Sequence, residues 1–466
     1  MKINFHGAAR CVTGSKHLIS FDNGTNILLD CGLFQGMGPV TEQLNERFRF
    51  DPAGVHCLLL SHAHIDHSGL IPKLVKEGFR GPIYCTSATR ELAEILLYDS
   101  AEIQTYEADH LNRVSSSHNL PPYEPLYTPQ DVEAAMQLFE TVEYDTPFIP
   151  GEGIEVSFTD AGHLIGSAGI HLAIHENGVT TRISYSGDVG RYRSVLLPPP
   201  APFPQADYLI LESTYGDKIH DPSFNTIDQL AKLVSHTCLD KKGKLIIPAF
   251  SVGRTQEVLF ALNQLELEKR LPDIPYFVDS PLSIKATTVI KKYCAHFNDR
   301  LQQILEMDDD PFDFKGLKYI ESVEDSRKLA EHNEPCVIIS ASGTADAGRV
   351  RHHIKSCLQE PSHTILFVGY CQQQSLGGQL LQGVKSVDLF GDPCAVVAEV
   401  DTLSSMSAHG DTEDLLRYVG CQNETKLKGI FLVHGEYAVQ QAFAARLERK
   451  QYKNIVIPEP YQDYKL

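Results

Sequence analysis

His62-Ala63-His64-Ile65-Asp66-His67 follows directly on the apolar run Cys57-Leu58-Leu59-Leu60-Ser61. The run reads as a short buried strand. Four metal-ligating side chains therefore crowd into six positions just past a strand end. Imidazole nitrogen and carboxylate oxygen are the donor types that suit Zn²⁺. In an extended or tightly turned segment His62 and His64 project to one side. Asp66 and His67 come round the turn, far enough on to serve a second ion. At this histidine content, three histidines in this spacing arise by chance in only ~0.04 windows of the chain, before an aspartate is also required.

One hexapeptide cannot fill two metal sites, so more ligands must come from elsewhere. Other apolar runs end in similar turns. Asn26–Leu29 ends at Asp30, Thr181–Ser186 at Gly187-Asp188, Tyr208–Leu211 at Glu212, and Lys428–Val433 at His434. A lone histidine, His163, sits in Ala161-Gly162-His163-Leu164. Functional residues on loops held by a sheet are the usual arrangement in α/β enzymes. Apolar spacing of three to four residues predicts helices over 70–77, 89–98, 131–140, 254–267 and 438–447, so the fold class is α/β. The stretch 101–130, with Ser115-Ser116-Ser117 and Pro121-Pro122, reads as a polar excursion, and the prolines of 198–204 as a stiff connector. After Glu212 a second strand–helix series begins: 244–248, 276–278, 336–339 and 364–368. Four such units predict a parallel doubly wound sheet in a domain of its own.

The chain has 466 residues, 60 Asp plus Glu against 41 Lys plus Arg, a net charge of −19, and 20 histidines. The acidic balance argues against an indiscriminate nucleic-acid coat protein or a basic membrane-surface protein. The 11 cysteines include no Cys-x-x-Cys pair and read as free thiols of a reducing compartment. The start, Met1 to Gly7, has no apolar core of a signal peptide, and no apolar run reaches ~20 residues. The expectation is a cytoplasmic protein with no membrane partner.

The ordered series Asp30, His62-x-His64-x-Asp66-His67, His163 and Asp188 resembles the metallo-β-lactamase superfamily. Glu212 in Leu211-Glu212-Ser213-Thr214, His409 in Ser407-Ala408-His409-Gly410, and His434 after a late strand are similar to the β-CASP branch of nucleic-acid-processing nucleases. Leu29-Asp30-Cys31-Gly32-Leu33-Phe34-Gln35-Gly36 and Thr13-Gly14-Ser15 resemble the group containing the pre-mRNA 3′-end endonuclease subunit and its bacterial and archaeal relatives. The resemblance implies an αββα sandwich from residues 1–212 and 395–466, with an inserted doubly wound β-CASP domain at 213–394. It implies two Zn²⁺ per chain. His62, His64 and His163 would hold one, Asp66, His67 and His434 the other, with Asp188 bridging and Asp30 orienting the histidines from behind.

The activity it implies is ribonuclease hydrolysis of a phosphodiester by a hydroxide shared between the two metals. Asp66, Glu212 and His409 are the catalytic residues, His409 as general acid held by Glu212. A histidine rather than valine at the last motif favours RNA, so single-stranded RNA is the expected partner. A homodimer is compatible with the sequence. The alternatives are a DNA nuclease of the same family or a small-molecule metallo-hydrolase. The inserted domain should supply substrate contacts, with Arg254, Ser342, Gly343 and Arg349 as candidates. Lys285, the run Arg351-His352-His353 and the backbone of Gly377-Gly378 are further ones, and Phe250 and Tyr370 are aromatic side chains that could stack on bases. The pair His171 and His175 reads as satisfied histidines rather than ligands. The sequence lacks the additional C-terminal domain of RNase J-type enzymes and the N-terminal RNA-binding modules of many archaeal relatives.

Overall fold

Strands form where the apolar runs predicted them, and they end within a residue or two of the polar turns. A computed structural model describes residues 1–115, 122–176, 178–220 and 226–466. The chain divides into two compact units. The first comprises Met1–Tyr192, Pro199–Ile219 and His409–Leu466, and the second Arg193–Pro198 and His220–Ala408.

The first unit is a sandwich of two seven-stranded sheets. One runs Asp463–Lys465, Lys2–Phe5, His17–Ser20, Asn26–Leu29, Cys57–Leu59, Ile83–Cys85, Phe139–Thr141. The other runs Ile455–Val456, Gly429–Val433, Tyr208–Glu212, Val179–Tyr185, Ala168–Glu176, Ile154–Asp160, Phe148–Gly151. Strand side chains alternate between faces. Ile27, Leu29, Cys57 and Leu59 from the first sheet thus meet Phe158, Ile170, Ile183, Ile210 and Val433 from the second in one buried core. The other face of the second sheet, through Leu209, Leu211, Ile430 and Leu432, buries Leu415 and Val419 of helix Thr412–Val419 and Phe443 and Leu447 of helix Tyr437–Arg449. Helices Ile71–Lys76, Ser87–Ser115 and Pro129–Met136 pack on one another, and Ser87–Ser115 on strand Phe139–Thr141. This is the αββα layering of the metallo-β-lactamase fold.

Register carries the site residues to neighbouring strand ends. Asn26–Leu29 runs parallel to Cys57–Leu59 with Leu29 opposite Leu59, which sets Asp30 beside Ser61 and His62. Val179–Tyr185, Tyr208–Glu212 and Gly429–Val433 are mutually parallel, with Glu212 opposite Val433. Asp188, Glu212 and His434 therefore emerge side by side.

The second unit contains a parallel six-stranded sheet in the order Leu317–Tyr319, Tyr276–Asp279, Cys336–Ser340, Lys244–Pro248, Thr364–Phe367, Glu399–Thr402. The last strand pairs with Thr364–Phe367, placing Val400 opposite Ile365. That pairing joins Glu399–Thr402 to the sheet of the second unit, which extends to Ala408.

The expected polar excursion from residue 101 is instead the continuation of helix Ser87–Ser115. Its polar side chains grip the returning chain. Asn112 exchanges hydrogen bonds with the Tyr123 backbone, Gln104 accepts from Leu126 N, and the Tyr127 hydroxyl donates to Ser100 Oγ. Leu97, Ala101 and Ala108 are its buried face. Ser116, Ser117 and Pro121 lie outside the described residues. All eleven cysteines are unpaired, and no helix among the described residues is long and apolar enough to cross a membrane.

Candidate metal centre

Strand Cys57–Leu59 delivers the motif into a single turn of helix. His64 is the residue before helix Ile65–Ser68, so His62 and His64 are extended while Asp66 and His67 are helical. Two neighbouring loops fasten that turn through backbone bonds. Ser15 N donates to the Asp66 carbonyl at 2.8 Å, and Cys31 N to the His67 carbonyl at 2.7 Å. A Cβ at Gly32 would sit 1.7 Å from that same Asp66 oxygen, so the close approach excludes any side chain there. This is the physical content of the Thr13-Gly14-Ser15 and Asp30-Cys31-Gly32 stretches.

Four ligand atoms then converge. His62 Nε2 lies 3.1 Å from His64 Nδ1, and His163 Nε2 lies 3.3 Å from it. Asp188 Oδ2 lies 3.6 Å from both His62 Nε2 and His163 Nε2. Donors about 2.05 Å from a tetrahedral zinc ion stand about 3.3 Å apart, so these are the edges of a coordination tetrahedron. A second group forms on the other carboxylate oxygen. Asp188 Oδ1 lies 3.3 Å from His67 Nε2, and Asp66 Oδ2 lies 3.2 Å from His434 Nε2. His67 Nε2 and Asp66 Oδ2 are 3.9 Å apart. Asp188 thus offers one oxygen to each cluster.

For His67, His62 and His434 the unused ring nitrogen shows why each presents the atom it does. Asp30, fully buried, accepts from Ser61 N on Oδ1, and from Ser61 Oγ, the Tyr185 hydroxyl and His67 Nδ1 on Oδ2. A carboxylate only accepts. His67 therefore carries its proton on Nδ1 and turns an Nε2 lone pair to the cluster. The single Ser61 hydroxyl proton is given to Asp30, so Ser61 Oγ accepts from His62 Nδ1, at 3.1 Å, and His62 Nε2 is likewise the lone-pair atom. Thr214 Oγ1 donates to the His434 carbonyl and accepts from His434 Nδ1, leaving His434 Nε2 toward Asp66. Such partners behind a ligand fix its tautomer and ring angle. Asp30 and His434 both hold a left-handed backbone, φ 57° and 48°, a conformation unusual for residues other than glycine.

Electrostatics fit the same reading. Burial holds His62, His64 and His163 below the ordinary imidazole value, His64 at about 4, so these rings are neutral, the form that binds metal. His67 differs: burial opposes its charge, but Asp188, Asp66 and Asp30 outweigh it and raise its value well above normal, so with no cation present the ring holds a second proton, which a metal at Nε2 would displace. Among the described residues, His67 Nε2 and Asp188 Oδ1 are buried with no hydrogen-bond partner, which is costly unless a cation completes them. The residues present fit two divalent ions.

His409 and Glu212 stand beside the clusters. Glu212, fully buried, accepts from Val189 N at 2.8 Å and Thr214 N at 3.0 Å, so it secures the turn. It also binds His409 Nδ1 at 3.1 Å, with Asp188 Oδ2 3.9 Å from the same nitrogen. Burial disfavours the His409 imidazolium, yet Glu212 and Asp188 prevail and raise its value.

The other sequence candidates lie in the second unit. Arg254 is buried and ion-paired with Glu257. The Arg349 guanidinium binds Asp279 Oδ1 at 2.7 Å and the carbonyls of Glu321 and Ile320. Both arginines thus have carboxylate partners within their own unit. Ser342 N donates to the Ala347 carbonyl, and Gly343 lies under the Phe250 ring. The N–H groups of Gly377 and Gly378 already donate to the Thr344 carbonyl and Ser375 Oγ. His171 is satisfied between Thr159 and Ser184, and His175 pairs with Thr180. Ser61, Thr214 and Tyr185 were not singled out as site residues in the sequence. Ser61 adjoins the motif and Thr214 follows Glu212, but nothing in the chain marks Tyr185, 155 residues from Asp30.

Comparison with known proteins agrees. Residues 14–237 match the metallo-beta-lactamase superfamily, 255–380 the Beta-Casp domain, and 394–458 the Zn-dependent metallo-hydrolase RNA specificity domain. Ribonuclease TTHA0252 of Thermus thermophilus is 35% identical over 94% of this chain and 93% of its own. An RNase J-like protein of Methanocaldococcus jannaschii is 30% identical over 98% of this chain and 96% of its own. Transcription termination factor FttA of the same organism is 29% identical over 98% of this chain and 70% of its own. The chain belongs to the metallo-β-lactamase superfamily, in its β-CASP family of metal-dependent nucleases.

Proposed function

We propose that this protein is a two-zinc ribonuclease that hydrolyses phosphodiester bonds of single-stranded RNA in the cytoplasm. The observation that carries the metal count is Asp188, whose two oxygens each face a separate set of ligand atoms. His62, His64 and His163 would hold one ion, and Asp66, His67 and His434 the other. Bound there, two such ions would supply an acidified water and would neutralise charge growing on the phosphoryl oxygens. The RNA preference is supported by the relatives named as ribonucleases and by the RNA specificity match, which spans His409 and His434.

In the reaction a water oxygen bonds to phosphorus, the bond from phosphorus to the leaving oxygen breaks, and that oxygen needs a proton. His409 gives it. Its Nδ1 is held by Glu212, so its Nε2 is the atom that delivers the proton. Glu212 favours the protonated ring and fixes its plane, its own position being set by Val189 N and Thr214 N. Asp66 is only partly buried and is the carboxylate of the second cluster best placed to accept a proton from water.

The test is one RNA labelled separately at each end and incubated with zinc-loaded protein, beside single-stranded DNA of the same sequence and a chromogenic lactam or thioester. RNA cleavage with about two zincs per chain is the expected result. Turnover of the ester or lactam without RNA cleavage would replace this reading by a small-molecule hydrolase, and preferential DNA cleavage by a DNA nuclease.

A further inference from the structure

Strands Lys244–Pro248 and Cys336–Ser340 are adjacent and parallel in the second unit. From the first, the chain leaves through helix Arg254–Leu267 toward strand Tyr276–Asp279 on one side. From the second, it leaves through helix Val350–Cys357 toward Thr364–Phe367 on the other. The two connections leave the sheet in opposite lateral directions, and their loops lie at the C-terminal ends of adjacent strands, the end of an open α/β sheet where ligands bind. Phe250 is on the first of these loops and Gly343 on the second.

The two residues touch. A Cβ at Gly343 would lie 2.7, 2.9 and 3.0 Å from Phe250 Cδ2, Cε2 and Cγ, and one at Gly369, on the next loop, 3.4 Å from Cε2. The ring is thus bedded on two residues without side chains, drawn from two different strand ends. It remains 38% exposed and is absent from the unit's hydrophobic core, which is built on Ile246, Ile338, Ile365 and Phe367. Around it stand neutral hydroxyls: Ser251 Oγ is 3.4 Å from Ser280 Oγ, and Ser342 closes the neighbouring turn. The nearby cations Arg254 and Arg349 are committed to Glu257 and Asp279. What this place offers, among the described residues, is an aromatic surface with hydroxyl donors and acceptors beside two arginines already paired with carboxylates.

We propose that Phe250 is a stacking platform for a nucleobase of the single-stranded substrate. The assignment rests on the nucleic-acid reading above. Every base has a π-face, so such a platform grips the strand with little preference for sequence. It also contributes affinity without displacing counterions, unlike a phosphate contact.

The chain contains no tryptophan, so Phe250→Trp places the sole indole at the site. Its emission is read, in a His409→Ala background to slow cleavage, against a ten-nucleotide oligoadenylate and an abasic ribose-phosphate strand of equal length. Quenching by oligoadenylate and little change with the abasic strand is expected. In the otherwise native enzyme, Phe250→Ala should raise KM for RNA about tenfold with kcat nearly constant, as loss of one stacked base implies. Its rate on bis(4-nitrophenyl) phosphate, which has no base, should stay at the native level and reports that the fold and metal centre are intact. The salt dependence of RNA affinity should keep its slope. RNA that is cleaved by the native enzyme but leaves the indole emission unchanged overturns the platform and spares the ribonuclease. RNA neither bound nor cleaved overturns both. A Phe250→Ala protein that loses activity on both substrates assigns the ring to folding and overturns the platform as well.

Discussion

Asp30 accepts a 2.6 Å hydrogen bond from His67 Nδ1, although 37 residues separate them, and in doing so turns His67 Nε2 toward Asp188. The same carboxylate reaches His62 through Ser61. One buried acid thereby sets the tautomers of one ligand in each cluster. Asp30→Ala should weaken zinc binding about 10–100-fold. Tyr185→Phe, which removes one of the bonds holding Asp30, should weaken it less. Both are read by competition with a chelator, independently of activity. Unchanged affinity in Asp30→Ala would mean that the carboxylate supports the fold and not the ligands.

His64 and His409 separate binding from chemistry. His64→Ala removes a nitrogen shared by two edges of the first cluster, so metal content and activity should fall together. His409→Ala should keep its zinc and lose about 10²–10⁴ in rate on RNA, the usual worth of a general acid. The loss should shrink on bis(4-nitrophenyl) phosphate, whose nitrophenolate leaves without a proton. Elemental analysis and the two rate ratios decide it. An equal loss on both substrates would remove His409 from the proton-donor role.

Much of this centre is legible because its candidate residues, ligands and the acids that position them alike, announce themselves at strand ends. Asp30, His62, Asp188, Glu212 and His434 each terminate or closely follow an apolar run, and parallel register does the rest. Helix Ser87–Ser115 was not legible past residue 100, because Ser100, Gln104 and Asn112 look like loop residues until the chain that returns to bond them is seen. Arg254 and Arg349 show what the sequence does not display, their carboxylate partners. Basic residues at strand ends suggest phosphate, but Glu257 is only a helical turn from Arg254, and Asp279 reaches Arg349 across 70 residues.

Internal commitment of those arginines has a consequence for salt. A net charge of −19 opposes a broad basic track along which a strand could lie. RNA affinity should fall with added salt, with a log–log slope of about −1 to −3, or a few phosphates at about 0.7 each. Anisotropy titrations across a range of salt concentrations measure it. A flat response would remove phosphate contacts from the binding mode, and a slope several times steeper would mean that a broad basic track, not a few contacts, holds the strand.

The last relationship concerns stability rather than catalysis. Asp279, fully buried at the end of strand Tyr276–Asp279, binds Arg349 Nη1 at 2.7 Å, His353 Nε2 at 2.6 Å and Ser326 Oγ at 2.5 Å. Burial alone would raise its value, but the bonds from His353, Ser326 and Arg349 overcome this and hold it below the ordinary carboxylate range. A carboxyl whose value is depressed on folding contributes stability above its unfolded value, near 4, and loses it as pH falls through the lower folded value. Asp279→Asn should therefore cost about 3 kcal/mol at pH 7, because it leaves the Arg349 and His353 donors without their anion. The gap between native and variant should narrow as pH falls below about 4, where the native carboxyl also becomes neutral. Thermal or urea unfolding at pH 7 and at progressively lower pH measures both. A gap that persists unchanged in acid would assign the loss to packing instead of charge.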